Sequence, residues 1–538
     1  VSGPENPNLA ARLAARAARH PDRLAIVEWR GGRPARTTFG ALATRAAALA
    51  AGLRARGLAP GDRALLFVPM STDLYAALLA VLHAGATAVF VDAWADRRRL
   101  DAAVAAASPR AFIAVPRAHL LRLASAAVRR IPIAVWAGPG PLSLRALERA
   151  GAIAVAAAVP AEAPALVTFT TGSTGRPKAA ARSHGFLWEQ HRVLANHLGT
   201  REGDVDMPTL PVFVLHNLAA GATTVLPDLD PRAPAEFDPA TVARQIESEG
   251  VVTSAGSPAF YQRLQAWCAE HGRRLPLRAL FTGGAPVLPR LARALGRDFI
   301  AGQAHVVYGS TEAEPIASLT TTEMLQAMDG AAGDATPGAR RLAGLCAGAP
   351  VPEIELRIVR PHEGPIELGP GGWPEWDVPR GEAGEIVVTG PHVLRGYLDD
   401  PEADRANKVV DGSRVWHRTG DGGRLDPQGR LWLLGRVSRR VRRGGETWWA
   451  LPVELRAMEE PEVRHASYLG RPDAALGQRA VLCVESAGGV LSGDARRRVA
   501  AAAQPAPVDE LRVVARIPRD LRHASKTDAE ALSRMLDR

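Results

Sequence analysis

Lysine is nearly missing from this chain: 538 residues contain only three, Lys178, Lys408 and Lys526, against 63 arginines. Cysteine is as scarce. Cys268, Cys346 and Cys483 lie far apart without metal-ligand spacing, which excludes a disulfide framework or a zinc site and points to a reducing compartment. Nor is there a run of about 20 uninterrupted apolar residues, as a membrane-spanning helix needs. The most apolar stretch, Leu74 to Val91, is broken by His83 and Gly85-Ala86 and reads as a buried helix followed by a buried strand. No basic segment leading into an apolar core opens the chain, so a cytoplasmic protein without a secretory leader or membrane anchor is expected.

The shortage of lysine carries information. The arginines are scattered among alanines, so the net charge of +10 forms no focused stripe for a phosphate backbone, and no nucleic-acid partner is expected. On a solvated surface arginine replaces lysine harmlessly; it fails where a compact ammonium on a flexible stem is required. The three surviving lysines are therefore candidates for chemistry.

With 47% hydrophobic residues the chain can bury several domain-sized cores. Up to about residue 160, helical patterns (Leu9 to Arg19, Phe39 to Arg56, Asp73 to Ala84, Arg97 to Ala106) alternate with short β-rich runs such as Arg63 to Val68 and Ala111 to Val115. A similar alternation recurs after Pro164, and such alternation implies parallel, doubly wound sheets. After about residue 340 the pattern turns to hairpins, as in Glu353 to Arg360 and Gly384 to Thr389. The fold class expected is α/β: a large N-terminal domain (1–434) of two doubly wound halves, about 1–160 and 161–340, plus a β-rich subdomain, 341–434. A polar hinge at 435–438 then leads to a small, mobile α+β C-terminal domain, 439–538.

Four stretches carry chemistry. Thr168-Phe169-Thr170-Thr171-Gly172-Ser173-Thr174-Gly175-Arg176-Pro177-Lys178 follows an apolar strand and precedes a helical pattern. Its glycines let backbone approach phosphate and its hydroxyls and Lys178 add donors, although it lacks the Gly-Lys-Ser/Thr of a P-loop. A Ser/Thr/Gly-rich surface loop is the bland alternative. In Tyr308-Gly309-Ser310-Thr311-Glu312 a strand runs into a polar turn; Glu312 can ligate Mg²⁺ beside phosphate or merely start a helix, and Tyr308 can stack on a purine. His417-Arg418-Thr419-Gly420-Asp421 precedes a hairpin strand ending at Arg436, and Asp421 can accept two ribose hydroxyls or serve a turn. Lys526 lies just before the last helix, in His523-Ala524-Ser525-Lys526-Thr527.

In this order and spacing, the four stretches resemble the adenylate-forming enzymes: acyl-CoA synthetases, luciferases and peptide-synthetase adenylation domains. The resemblance spans nearly the whole chain. It implies ATP and Mg²⁺ as cofactors and a small-molecule carboxylic acid as substrate. Residue by residue it places the β- and γ-phosphates on Thr170, Thr171, Gly172, Ser173, Thr174, Gly175 and Lys178. Gly283, Gly284, Ala285 and Pro286 line the adenine and acyl pocket, with Tyr308 on adenine and Gly309 and Ser310 in the same turn. Thr311 touches the α-phosphate, Glu312 binds Mg²⁺, Asp421 takes the ribose hydroxyls with help from Arg436, and Lys526 bridges the attacking carboxylate and the α-phosphate.

The chain departs from the CoA-transferring members of that superfamily. Its hinge position is Ser438 rather than an acidic residue or lysine, and the loop that approaches CoA reads Gly444-Gly445-Glu446-Thr447-Trp448-Trp449. The Phe-His pair frequent in the acyl pocket reads Phe213-Val214. With Gly256-Ser257-Pro258-Ala259 and Ala347-Gly348-Ala349-Pro350, these features resemble the β-lactone synthetases of bacterial olefin biosynthesis. That resemblance implies adenylation of a β-hydroxy fatty acid, cyclisation with loss of AMP, and association with enzymes of the same pathway. The alternative expectation is an acyl- or aryl-CoA ligase or a carrier-loading fatty acyl-AMP ligase, with CoA or a carrier protein as partner.

Overall fold

A computed structural model describes all residues except 1–5, 92–96, 151–154, 172–176, 230–235, 297, 333–337, 339–340, 342, 520–526 and 538. After helix Leu9–Arg19, strands β1 (Leu24–Arg30) and β2 (Arg33–Thr38) form a hairpin. The next six strands make one sheet: β3 (Arg63–Phe67), β4 (Thr87–Phe90), β5 (Ala111–Ala114), β6 (Ile133–Trp136), β7 (Pro164–Thr171) and β8 (Pro177–Ser183), ordered β6-β5-β3-β4-β7-β8. All its pairs are parallel except the β7–β8 hairpin. Helices between these strands cover the sheet, so the strands are apolar on both faces, as parallel strands must be. The helix Thr72–His83 is buried along nearly its whole length and leads straight into β4, as the Leu74 to Val91 pattern implies. Ser71 caps it by accepting from Leu74 N at 3.2 Å.

A second sheet begins with parallel strands β9 (Val205–Pro208), β10 (Thr223–Leu226), β11 (Thr253–Gly256), β12 (Ala279–Gly283) and β13 (Gln303–Ser310). It continues antiparallel through β14 (Ala313–Thr320), β15 (Leu345–Pro350), β16 (Glu355–Val359), β17 (Gly384–Thr389), β18 (Lys408–Asp411), β19 (Arg414–Leu425) and β20 (Leu431–Arg436). Sheet membership crosses residue 160 in both directions. β7 and β8 close the first sheet, while β1, from the start of the chain, pairs with β10 and carries β2 to the far edge of the second. The β-rich region after 340 joins this sheet through β14–β15 and β15–β20.

Past Arg436 comes a short 3-10 turn, Val437–Arg439, followed by the hairpin β21 (Val441–Arg443) and β22 (Glu446–Trp448). A three-stranded sheet of β23 (His465–Asp473), β24 (Gly477–Glu485) and β25 (Glu510–Val514) then packs with helices Ala450–Ala457 and Gly493–Ala503. Val441, Trp448, Val453, Tyr468, Leu482 and Val499 form a separate apolar cluster here. The three cysteines are buried and free.

Candidate active site

A cavity of about 2600 Å³ opens where the β13–β14 turn, the end of β12, the start of β8, β19 and the C-terminal segment converge. Gly284, Ala285 and Pro286 form part of its wall after β12. Gly283 is held tight against β13: a Cβ there would lie 2.3 Å from the Val307 carbonyl, and Gly284 at φ +76° takes a conformation that favours glycine. Close strand approach and a left-handed turn are the physical reasons for the glycine pair.

Tyr308, Gly309, Ser310, Thr311 and Glu312 line the same cavity. The turn at Thr311-Glu312 leads into β14, antiparallel to β13, so Glu312 sits at a hairpin tip and does not start a helix. The Tyr308 hydroxyl donates to Asp421 Oδ2 at 2.9 Å, and Arg436 Nη1 lies 3.3 Å from Asp421 Oδ1. Burial, then the Asp421 carboxylate, push the Tyr308 phenol well above its ordinary value. The carboxylate that sequence alone left open between a turn role and a ligand role is thus fixed by two side chains, and each oxygen keeps acceptor capacity toward the cavity.

Lys178 also reaches the cavity, but from a strand. The Thr/Gly-rich stretch runs from β7 into β8, with Thr170 opposite Lys178, and the helix His184–Leu198 begins only after β8. The expected strand–loop–helix is therefore a hairpin followed by a helix, because Lys178-Ala179-Ala180-Ala181 pairs with the sheet edge that β7 leaves open. Gly172, Ser173, Thr174 and Gly175 lie outside the described residues, and so does Lys526; Arg519, Thr527 and Asp528 on either side of Lys526 line the cavity.

Around Lys178 and Glu312 stands a cluster that sequence reading had not assembled. Lys178 Nζ donates to Asn407 Oδ1 at 3.0 Å and lies 5.7 Å from the centroid of the Tyr397 ring. The Tyr397 hydroxyl donates to Glu312 Oε1 at 3.1 Å. Lys408, 6% exposed, has its Nζ 5.3 Å from the centroid of the same ring. Burial works against the charge of Glu312, but His417, Lys408 and the Tyr397 phenol more than offset it and hold the carboxyl below its ordinary range. Burial lowers Lys178, opposed by Glu312 and Asp400. Tyr397 is one of only five tyrosines, the one signal that could have singled it out.

Glu312 is a hard oxygen ligand of the kind Mg²⁺ takes, held in place by Tyr397. Among the described residues no group of three or more His, Cys, Asp or Glu could hold a metal unaided. The site therefore fits an ion that draws its remaining ligands from substrate phosphates and water.

Two features were not expected from sequence. Trp448 and Trp449, each 6% exposed, are packed away. Arg341 stacks on Trp448 at 4.1 Å and donates to the Thr447 carbonyl at 2.7 Å. Trp449 packs against Gly422, beside Asp421, where a Cβ would come within 1.9 Å of its ring. In the helix Pro211–Ala220 it is Val212 and Leu215 that face the cavity, while Phe213 and Val214 are buried.

Residues 13–398 match the family described as AMP-binding enzyme. The chain belongs to that family. It is an AMP-forming adenylating enzyme, an adenylate-forming ligase. It is 35% identical to the olefin beta-lactone synthetase of Stenotrophomonas maltophilia (strain K279a), covering 98% of this chain and 97% of that one. It is 31% identical to the feruloyl-CoA synthase of an Amycolatopsis species, over 85% of each. The fold matches that of ATP-bound MatB from Rhodopseudomonas palustris with a TM-score of 0.80, at 24% identity and covering 98% of this chain and 99% of that one. As an AMP-binding family member the chain has the expected α/β fold class, and no helix among its described residues is long and apolar enough to cross a membrane.

Proposed function

We propose that the enzyme uses ATP to activate a β-hydroxy fatty acid as its acyl-adenylate, and that the substrate's own hydroxyl then closes a β-lactone. In the first step a carboxylate oxygen attacks the α-phosphorus and the bond to the β-phosphate breaks, releasing pyrophosphate. In the second the β-oxygen attacks the acyl carbon, loses its proton, and AMP leaves. Both reactants of the first step are anions, so the protein must position them and neutralise charge. Lys178, with the Thr170 to Gly175 loop, holds the β- and γ-phosphates, and Thr311 touches the α-phosphate. Tyr308, Gly309, Ser310 and the Gly283 to Pro286 segment bound the adenine and acyl space. Asp421, steadied by Arg436, takes the ribose, and Lys526 meets the attacking carboxylate. Mg²⁺, held by Glu312, would supply neutralising charge beside the phosphates. Residues 435–438 act as the pivot between 1–434 and 439–538, in keeping with the separate apolar cluster beyond Val441.

The burial of Trp448 and Trp449 carries the lactone reading. The loop from which CoA-transferring relatives approach CoA is here spent on packing, against Arg341 and Gly422. An attack from within the same molecule needs no such edge, and built-in proximity is worth roughly 7 to 11 kcal/mol. The likeness to an olefin beta-lactone synthetase over nearly the whole chain supports the same reading. The likeness to a feruloyl-CoA synthase keeps an acyl- or aryl-CoA ligase as the second reading. Mass spectrometry of products from β-hydroxy and plain fatty acids, with ATP and with or without CoA, separates them. A β-lactone and AMP without CoA are expected; an acyl-CoA product, or turnover that stalls at bound acyl-adenylate until CoA or a carrier arrives, restores the ligase.

A further inference from the structure

Lys408 has no place in the chemistry above, yet it is one of three lysines and among the most deeply buried charges in the protein. It opens β18, directly after the helix Pro401–Asn407. Its Nζ donates to the Leu394 carbonyl and stands 3.3 Å from His417 Nδ1. His417, on β19 and 3% exposed, lines the main cavity beside Lys178 and Glu312.

An ammonium offers donors and no acceptor. A ring nitrogen facing it must present its lone pair, because an Nδ1–H there would set hydrogens of like partial charge against each other. The Asn407 carbonyl, also 3.3 Å from Nδ1, would favour the opposite tautomer, but a neutral acceptor competes at equal distance with a full charge and loses. The ring's proton is thereby confined to Nε2. Burial, reinforced by Lys408, also holds His417 far below its ordinary value, at about 3, so the ring is neutral.

We propose that His417 is a further substrate-binding residue of this site, its Nε2–H donating to the β- or γ-phosphate of the nucleotide, and that Lys408 is the positioning residue that sets this tautomer. The inference rests on the adenylation reading for the presence of a polyphosphate between Lys178 and Glu312. It assigns Lys408 a role that arginine could not fill, since a planar guanidinium would not fit the compact space bounded by the Leu394 carbonyl, His417 and the Tyr397 ring.

The test compares ATP with AMP, which lacks the two outer phosphates. In the full chain, His417→Phe keeps an aromatic ring and removes the donor; calorimetric titration should show ATP binding weakened roughly 10- to 100-fold with AMP binding unchanged. His417→Gln, whose amide can donate from a similar reach, should recover part of the loss, and His417→Leu, which has no donor, serves as the test variant if the Phe substitution does not fold. Long-range ¹⁵N–¹H spectra of histidine-labelled protein, with His417 identified by its loss in a variant, should show an Nε2-protonated ring that Lys408→Met converts to the Nδ1-protonated form. An Nδ1–H ring in the unaltered enzyme, ATP affinity that does not change, or equal losses for ATP and AMP would overturn the proposal. Pyrophosphate release by the unaltered enzyme, measured alongside, tells failure of this inference from failure of the adenylation reading.

Discussion

A single carboxylate illustrates how much one residue's neighbours decide. Glu312 combines the nearby charge of Lys408 with a hydrogen bond from Tyr397, so it remains ionised in a buried setting that would otherwise protonate it. If its charge serves a hard cation, Glu312→Gln should preserve shape and melting temperature while moving the Mg²⁺ dependence of pyrophosphate release to higher concentration. An unchanged Mg²⁺ titration would reduce Glu312 to a turn residue. Lysine scarcity made Lys178 and Lys408 visible in the sequence, and the motif around Tyr308 made Glu312 visible. Tyr397 was not: it stands 85 residues from the carboxylate it touches, and nothing in local spacing predicts a contact made by the folding of two loops onto one cavity.

Elements built from short apolar runs were legible almost to the residue, as with Arg63–Phe67 and Ala111–Ala114, because a parallel strand buried on both faces has few other sequences open to it. Their partners were not legible. Nothing in β1 says that it pairs with β10, some two hundred residues later, since strand order follows from how helices pack across a sheet. The same holds for the β21–β22 hairpin, whose tryptophans looked like a bulky loop and turn out to be anchors. Trp449 lies against a glycine in β19, the strand that carries Asp421, so its loss should be felt in stability and at the ribose side of the site together. Trp449→Ala is expected to cost about 3–5 kcal/mol in urea melts, as for other buried aromatics. Gly422→Ala, which forces the ring away, should cost about 1–3 kcal/mol. Melts of both variants that overlay the parent would mean the contact contributes nothing to holding the hairpin in place.

For the whole molecule, the buried histidines set the direction of its response to acid. Burial lowers His184, His191 and His465 to about 4 and His216 and His417 to about 3. Unfolded, each would titrate near 6.5. Between those limits the unfolded chain binds more protons than the folded one, so the stability these groups contribute is fully present above about pH 6.5 and drains away as pH falls toward 4 and then 3. Asp206 opposes them. Burial raises its carboxyl to about 6 despite hydrogen bonds from Asn217 and Thr253, so its contribution is present at low pH and is lost as pH rises through 6. Burial also raises the Glu314, Asp404 and Glu454 carboxyls, but it lowers His83, His119, His197, His305 and His392 besides the five above, so with linkage adding over groups the histidines outweigh the carboxyls. The melting temperature should therefore fall between pH 7 and pH 5, and His216→Gln, which removes one of the most strongly shifted rings, should make that fall shallower. A melting temperature that stays level or rises over the same interval would mean that these histidines remain accessible to protons in the folded enzyme, and that the helices and strands around them open more readily than their packing implies.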